Sequence, residues 1–181
     1  MLPLQRWFLL SMRAQAIAKL PGGGRLLEIG AGTGLNFEHY PPGLIGVATE
    51  PSQAMIDIAR RKARPERFYL VQSQAERLPF AGRTFDMALA TLVLCSVVSA
   101  EEVLTELRRV VKPGGAVILL EHVRPSGLLG LIFDLLNQIS VRLFADRFNR
   151  RTAETAAAAG LEVLEREKRL LGIINLIVCR V

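Results

Sequence analysis

The sequence predicts an α/β protein: a doubly wound, mostly parallel sheet of seven strands whose last strand runs antiparallel. Three observations predict it. Residues 25–34, Arg-Leu-Leu-Glu-Ile-Gly-Ala-Gly-Thr-Gly, run a short apolar segment into a loop with glycine at 30, 32 and 34, as a buried strand does when it turns beneath a ligand. Apolar strand-like runs then alternate with segments of helical period, which calls for parallel strands and right-handed crossovers. Finally, only Arg169 to Gly172 separate the last two runs, enough for a hairpin and too little for a parallel crossover.

Residues 4–20 read as a helix stopped by Pro21 and Gly22-Gly23-Gly24. The first strand is 25–29, followed by a helix from about Gly34 to just before Pro41-Pro42. Leu44 to Thr49 is the second strand, and Ser52 caps a helix over 53–63 with Met55, Ile58 and Ala59 on one face. Arg67 to Val71 is the third strand; Asp86 to Thr91 is the fourth, continuing into Leu92-Val93-Leu94. Ser99 caps a helix over about 100–111, with Glu102 completing a capping box and Val103, Leu104, Leu107, Val110 and Val111 forming the buried stripe. Pro113-Gly114-Gly115 turns the chain into a fifth strand, Ala116 to Glu121. A helix of roughly 126–145 carries Asp134, Gln138 and Arg142 as one polar seam, suited to covering a hydrophobic acceptor, a dimer contact or a membrane surface. A shorter helix, about 150–159, stops at Gly160; Leu161 to Lys168 and Ile173 to Val181 are the final strands.

The chain has 181 residues, half of them apolar and 22% charged, which excludes disorder and suits one domain. Cys95 and Cys179 lie in apolar runs and read as buried free thiols; neither has metal-ligand spacing with His39 or His122. The N-terminal segment lacks a signal-peptide layout, and Leu128 to Phe144 is too polar to span a bilayer. The expected location is cytoplasmic, with peripheral contact at the inner membrane face left open by the net charge of +6. The aromatic-basic interleaving of an RNA-binding face is absent, so nucleic acid is not the expected partner.

Glycine at 30, 32 and 34 followed by Leu35 is not the dinucleotide fingerprint, which needs glycine at 35. Tyr40 and Tyr69 are followed four residues on by Leu44 and Ser73, so the Tyr-x-x-x-Lys pair of short-chain reductases is missing too. Glu50, twenty residues after Gly30 at the second strand's end, is placed to accept hydrogen bonds from two ribose hydroxyls. A helix starting near Gly34 would offer its N-terminal N–H groups to an anion.

Gly-Ala-Gly-Thr-Gly preceded by Glu28 resembles motif I of the class I S-adenosylmethionine (SAM) dependent methyltransferases, within the methyltransferase type 11 superfamily. Gln72 to Phe80 resembles that family's Gly-Asp-Ala-Glu-x-Leu-Pro-Phe stretch, with Gln74 replacing the usual aspartate. Thr91-Leu92-Val93-Leu94-Cys95-Ser96-Val97, Asn36-Phe37-Glu38-His39-Tyr40-Pro41-Pro42, Lys112-Pro113-Gly114-Gly115 and Glu121-His122-Val123 are similar to the methyltransferase-like seven thiol methyltransferases. The same segments resemble bacterial soluble phosphatidylethanolamine N-methyltransferases and, more distantly, ubiquinone/menaquinone C-methyltransferases. The resemblance implies a Rossmann-like class I methyltransferase fold, SAM as cofactor and S-adenosylhomocysteine as product. It implies a cofactor site of Glu28, Gly30, Ala31, Gly32, Thr33, Gly34, Asn36, Glu50, Pro51, Met55, Gln74, Ala75, Glu76, Thr91 and Leu92. Glu28 would favour the cofactor's ammonium, Gln74 and Ala75 would meet the adenine, and Met55 would close over it.

Methyl transfer from a sulfonium is an in-line displacement, so the protein must chiefly align nucleophile, carbon and sulfur and exclude water. His122, at a strand's carboxyl end, is the candidate to orient or deprotonate the acceptor. The expected acceptor is small, hydrophobic or lipid-like (a thiol, amine or quinone precursor), and the expected assembly is a monomer or homodimer. A non-catalytic SAM-binding domain acting as a partner scaffold is the second reading of the same residues.

Overall fold

The structure, a computed structural model, describes residues 3–122, 151–170 and 173–181, with side chains from Leu9 onward except that of His122. The seven strands are β1 (Arg25–Ile29), β2 (Ile45–Glu50), β3 (Phe68–Gln72), β4 (Phe85–Thr91), β5 (Val111–His122), β6 (Glu162–Arg169) and β7 (Ile174–Arg180). They form one sheet in the order β3-β2-β1-β4-β5-β7-β6. The first five are parallel; β7 runs antiparallel between β5 and β6. The antiparallel strand expected from the short last connection is therefore present, inserted beside β5 rather than closing the edge.

The central strands are buried on both faces, which is why they are continuously apolar. Their side chains alternate between two cores. Leu27, Ile29, Ala88 and Ala90 face α3 (Ala100–Val110) and α4 (Thr152–Ala158). Leu26, Met87 and Leu89 face α1 (Pro3–Ala18), through Met12, Ala16 and Ile17, and an aromatic group of Phe37, Tyr40 and Phe68. Glu28, alternating with Leu27 and Ile29, is fully buried. α3 begins as its sequence demands: Ser99 Oγ accepts from the Glu102 amide at 3.2 Å, and Val103, Leu104, Leu107 and Val110 are buried.

Four expectations are corrected. No α-helix starts at Gly34; the chain makes successive turns and then a short 3-10 helix, Phe37–His39. Gly34 sits at φ +75°, incompatible with a right-handed helix, and a Cβ there would stand 2.6 Å from the Phe37 ring. β4 does not continue into Leu92-Val93-Leu94: Leu92 adopts φ +59° and its amide donates to the Leu120 carbonyl at 2.7 Å. Pro113-Gly114-Gly115 does not turn the chain into β5 but lies within it, because the Gly114 amide donates to the Val181 carbonyl and the Val181 amide to that of Gly115. On α2 (Gln53–Arg60) the buried residues are Ile56 and Ala59, leaving Met55 and Ile58 exposed.

Cys95 and Cys179 are buried free thiols, and burial pushes the Cys179 thiol up to about 11. The expected helix over 126–145, with its Asp134, Gln138 and Arg142 seam, lies outside the described residues. Among the described residues no helix is long and apolar enough to cross a membrane.

Candidate active site

The strand order reverses direction between β1 and β4, so a crevice opens at the carboxyl ends of these strands. A cavity of about 630 Å³ lies there. It is lined by Gly30, Ala31, Gly32 and Thr33 from the loop after β1, Glu50, Pro51 and Met55 from β2 and α2, and Ser73 to Glu76 after β3. Thr91, Leu92, Val93, Ser96, Val97 and Val98 line it from β4 and beyond, Glu102 from α3 and Arg13 from α1. Twelve of the fifteen residues expected to hold the cofactor are thus brought together.

Gly30 shows why the loop needs glycine: it sits at φ +61°, and a Cβ would stand 2.5 Å from the Val93 side chain. The loop is fastened to β2 as well. The Ala31 amide donates to the Thr49 carbonyl at 2.9 Å, and the Gly32 amide donates to Glu50 Oε2 at 2.9 Å. Glu50 Oε1 accepts from the Ser52 amide at 3.0 Å. Each carboxylate oxygen carries more lone-pair capacity than one amide uses, so the carboxylate is held in place and still able to accept from two hydroxyls.

The remaining three, Glu28, Gly34 and Asn36, do not line the cavity; the two polar ones lie behind the loop in a side-chain network. Asn36 Nδ2 donates to Glu28 Oε1 at 2.7 Å and to Thr91 Oγ1 at 3.0 Å, which turns Asn36 Oδ1 toward α1. There Arg13 Nη1 donates to Asn36 Oδ1 at 2.9 Å and to Thr91 Oγ1 at 2.6 Å. Glu28 Oε2 and the Tyr40 hydroxyl are buried without a hydrogen bond of normal geometry. Burial raises the Glu28 carboxyl to about 7, against the opposing pull of Tyr40, Asn36 and Arg13. Burial likewise lowers the Arg13 pKa, opposed by the nearby Glu28, Tyr40 and Glu121.

The loop after β4 is positioned by another buried acid. Glu121, at the end of β5, accepts from the Val93 amide at 3.0 Å and the Leu94 amide at 3.1 Å. These bonds hold the segment that follows Leu92, a non-glycine residue in left-handed conformation at the rim of the cavity. Glu76 Oε1 accepts from the Val98 amide at 2.9 Å, tying the loops after β3 and β4 together. The backbone of His122 ends β5 opposite Ile174, while its side chain lies outside the described residues.

Sequence reasoning missed Arg13, Leu35, Ser73, Val93, Ser96, Val97, Val98 and Glu102. Ser73, Val93, Ser96 and Val97 lie within segments already singled out, Leu35 and Val98 border them, and Glu102 was read as part of a helix cap. Arg13 had no local signal: it stands 78 positions before Thr91, and only the packing of α1 on the sheet joins them.

The methyltransferase-domain family matches residues 27–119, just over half of the chain. The thiol S-methyltransferase TMT1B of Rattus norvegicus is 38% identical over 117 residues, covering 60% of this chain and 47% of that protein. The ubiquinone/menaquinone biosynthesis C-methyltransferase UbiE of Syntrophotalea carbinolica is 34% identical over 130 residues, covering 69% and 54%. The chain thus spans about half the length of the curated relatives it matches. Among solved structures, a SAM-dependent methyltransferase of Thermotoga maritima superposes with a TM-score of 0.72 at 26% identity, covering 98% of this chain and 94% of its own. The [4+2]-cyclase SpnF shares the fold at a TM-score of 0.70 and 19% identity, covering 96% of this chain and 80% of its own. A cyclase on the same scaffold means that the fold alone does not fix the chemistry.

Proposed function

Because this chain belongs to the methyltransferase-domain family, we propose that it transfers the methyl group of SAM to a small apolar thiol. The observation that carries the reading is that Gly30 to Thr33, Glu50 and Gln74-Ala75 meet in one crevice of about 630 Å³. Ligand cavities run from about 300 to 1,000 Å³. One of this size takes the cofactor and leaves room for an acceptor of few atoms. Bound there, SAM supplies an already activated methyl on a sulfonium.

The chain's residues then have limited tasks. Glu50 fits the ribose, the Gln74 amide oxygen and Ala75 amide fit the adenine edge, and the loop after β4, held by Glu121, shapes the wall where the acceptor arrives. The described lining contains no histidine, lysine, cysteine or tyrosine, so an acceptor that needs little deprotonation suits it. A thiol suits such a site, since a few per cent is thiolate at about pH 7 and highly nucleophilic. Leu35, 39% exposed, and Val98, 79% exposed, give the rim an apolar character that suits a hydrophobic acceptor. The thiol-methylating activity named for the relative supports the same choice. His122, at the carboxyl end of β5, is assigned to orient or deprotonate this acceptor.

Incubation with labelled SAM and, separately, alkyl thiols, demethylated quinones and ethanolamine lipids tests the reading. Label should appear in the thiol. Methylation of a quinone precursor or lipid alone would replace the acceptor, and SAM binding without turnover on any of them would favour the scaffold reading. Replacing His122 with Ala should lower turnover at unchanged cofactor affinity; full turnover would remove it from the mechanism.

A further inference from the structure

We propose that Arg13 and Thr91 together form the receptor for the carboxylate of the cofactor's amino-acid end, so that α1 discriminates SAM from nucleosides lacking that group. The inference rests on SAM as the cofactor and is independent of which acceptor is methylated. The sequence placed this anion at a helix N-terminus near Gly34, and the structure has no α-helix there. Something else must meet the carboxylate. Among the described lining residues Glu50, Glu76 and Glu102 are acids and Arg13 is the one cation, so an anion entering the crevice has one attractive locus.

The hydrogen bonds leave that locus free to bind. Only Nη1 of Arg13 is used, by Asn36 Oδ1 and Thr91 Oγ1, and the other guanidinium nitrogens have no hydrogen-bond partner among the described residues. Thr91 Oγ1 accepts from both Arg13 and Asn36, so its own hydroxyl proton remains to be donated, and Thr91 lines the cavity. The orientation is fixed from behind: Glu28 takes one Asn36 N–H, which presents Asn36 Oδ1 to Arg13. A guanidinium held at one corner, next to a hydroxyl with a proton to give, matches a planar carboxylate.

Isothermal titration of the full chain with S-adenosylhomocysteine and with 5′-methylthioadenosine, which has the same nucleoside and a thioether but no amino acid, tests the assignment. Wild type should bind S-adenosylhomocysteine at least about tenfold more tightly. Arg13→Gln should weaken S-adenosylhomocysteine by about 10- to 100-fold and change methylthioadenosine by less than about twofold. Arg13→Lys should fall between, since it keeps the charge and loses the fork. Thr91→Val should show the same selective loss, severalfold in size. Equal weakening of both ligands by Arg13→Gln would make Arg13 a support for the loop and overturn the proposal, as would no change in either. If Arg13→Gln does not fold, the ratio measured for Arg13→Lys decides by the same criterion. A wild-type chain that binds neither ligand would overturn the cofactor reading itself.

Discussion

Two acids at the rim of the sheet are held in opposite ways. Glu50, at the end of β2, has each oxygen on a backbone amide, one from the loop after β1 and one from Ser52. Glu28, one strand away in β1, is held by side chains alone: Asn36 takes one oxygen, and the other faces Tyr40 without a proper partner. The first arrangement is built from neighbouring backbone and leaves a presentable carboxylate. The second draws on residues from α1, β1, the loop and β4, and leaves a carboxyl that burial pushes to about 7. Binding geometry is thus set by local backbone on one side of the crevice, and by tertiary packing on the other.

The most forceful way to break this division is through the loop both acids share. Gly30→Val places a β-branched residue at φ +61° against Val93, so left-handed strain and overpacking add. Denaturant unfolding should show a loss of about 3 kcal/mol or more, with cofactor binding abolished. A loss below about 1 kcal/mol would mean the loop can move away from β4 and that Gly30 is not the constraint.

Glu50→Ala tests the backbone-held side. The amides it holds belong to Gly32 and Ser52, both only half-buried, so water can replace the carboxylate and stability should change little. Affinity for S-adenosylhomocysteine should fall about 100-fold, the worth of two hydrogen bonds to a charged acceptor. Calorimetric affinity within twofold of wild type would remove Glu50 from the ribose site.

Glu28 tests the side-chain-held side through pH. Its folded pKa, about 7, lies above the ordinary 4.5, so the folded state holds this proton more tightly than the unfolded chain. The stabilisation is complete below pH 4.5 and is lost as pH rises through about 7, in all about 3 kcal/mol. Glu28→Gln cannot ionise and keeps an oxygen for Asn36. Its unfolding free energy should therefore gain on that of wild type by about 2 to 3 kcal/mol between pH 5 and 8. A constant difference between the two proteins across that range would show that Glu28 is ionised throughout.

The same division explains what the sequence could disclose. The glycine spacing, Glu50 at the end of an apolar run, and the Ser99 cap are local signals, and the structure carries each where expected. The antiparallel β7 was legible because loop length alone forbids a parallel crossover. The helix at Gly34 was misread because glycines at positive φ are indistinguishable, in the sequence, from glycines tolerated at a helix start. β5 was read too short because the bonds that extend it through Gly114 and Gly115 come from Val181. Arg13 was invisible for the same reason: its partners are assembled by the sheet, not by spacing.

Gln74 offers the smallest change and the sharpest test of whether the loop after β3 belongs to the backbone-held side. It lines the cavity at the position where the family stretch it resembles has an aspartate, and it is exposed, so its substitution disturbs no packing. A neutral amide oxygen is a weaker acceptor for the adenine amino group than a carboxylate, and hydrogen bonds gain roughly twofold in strength when the acceptor is charged. Gln74→Asp should therefore tighten S-adenosylhomocysteine binding by about three- to tenfold, at unchanged unfolding free energy. The gain should vanish for S-inosylhomocysteine, whose ring carries a carbonyl in place of the amino group. An equal gain for both nucleosides would mean that the carboxylate acts on something other than the adenine edge, and the loop after β3 would lose its place in the cofactor site.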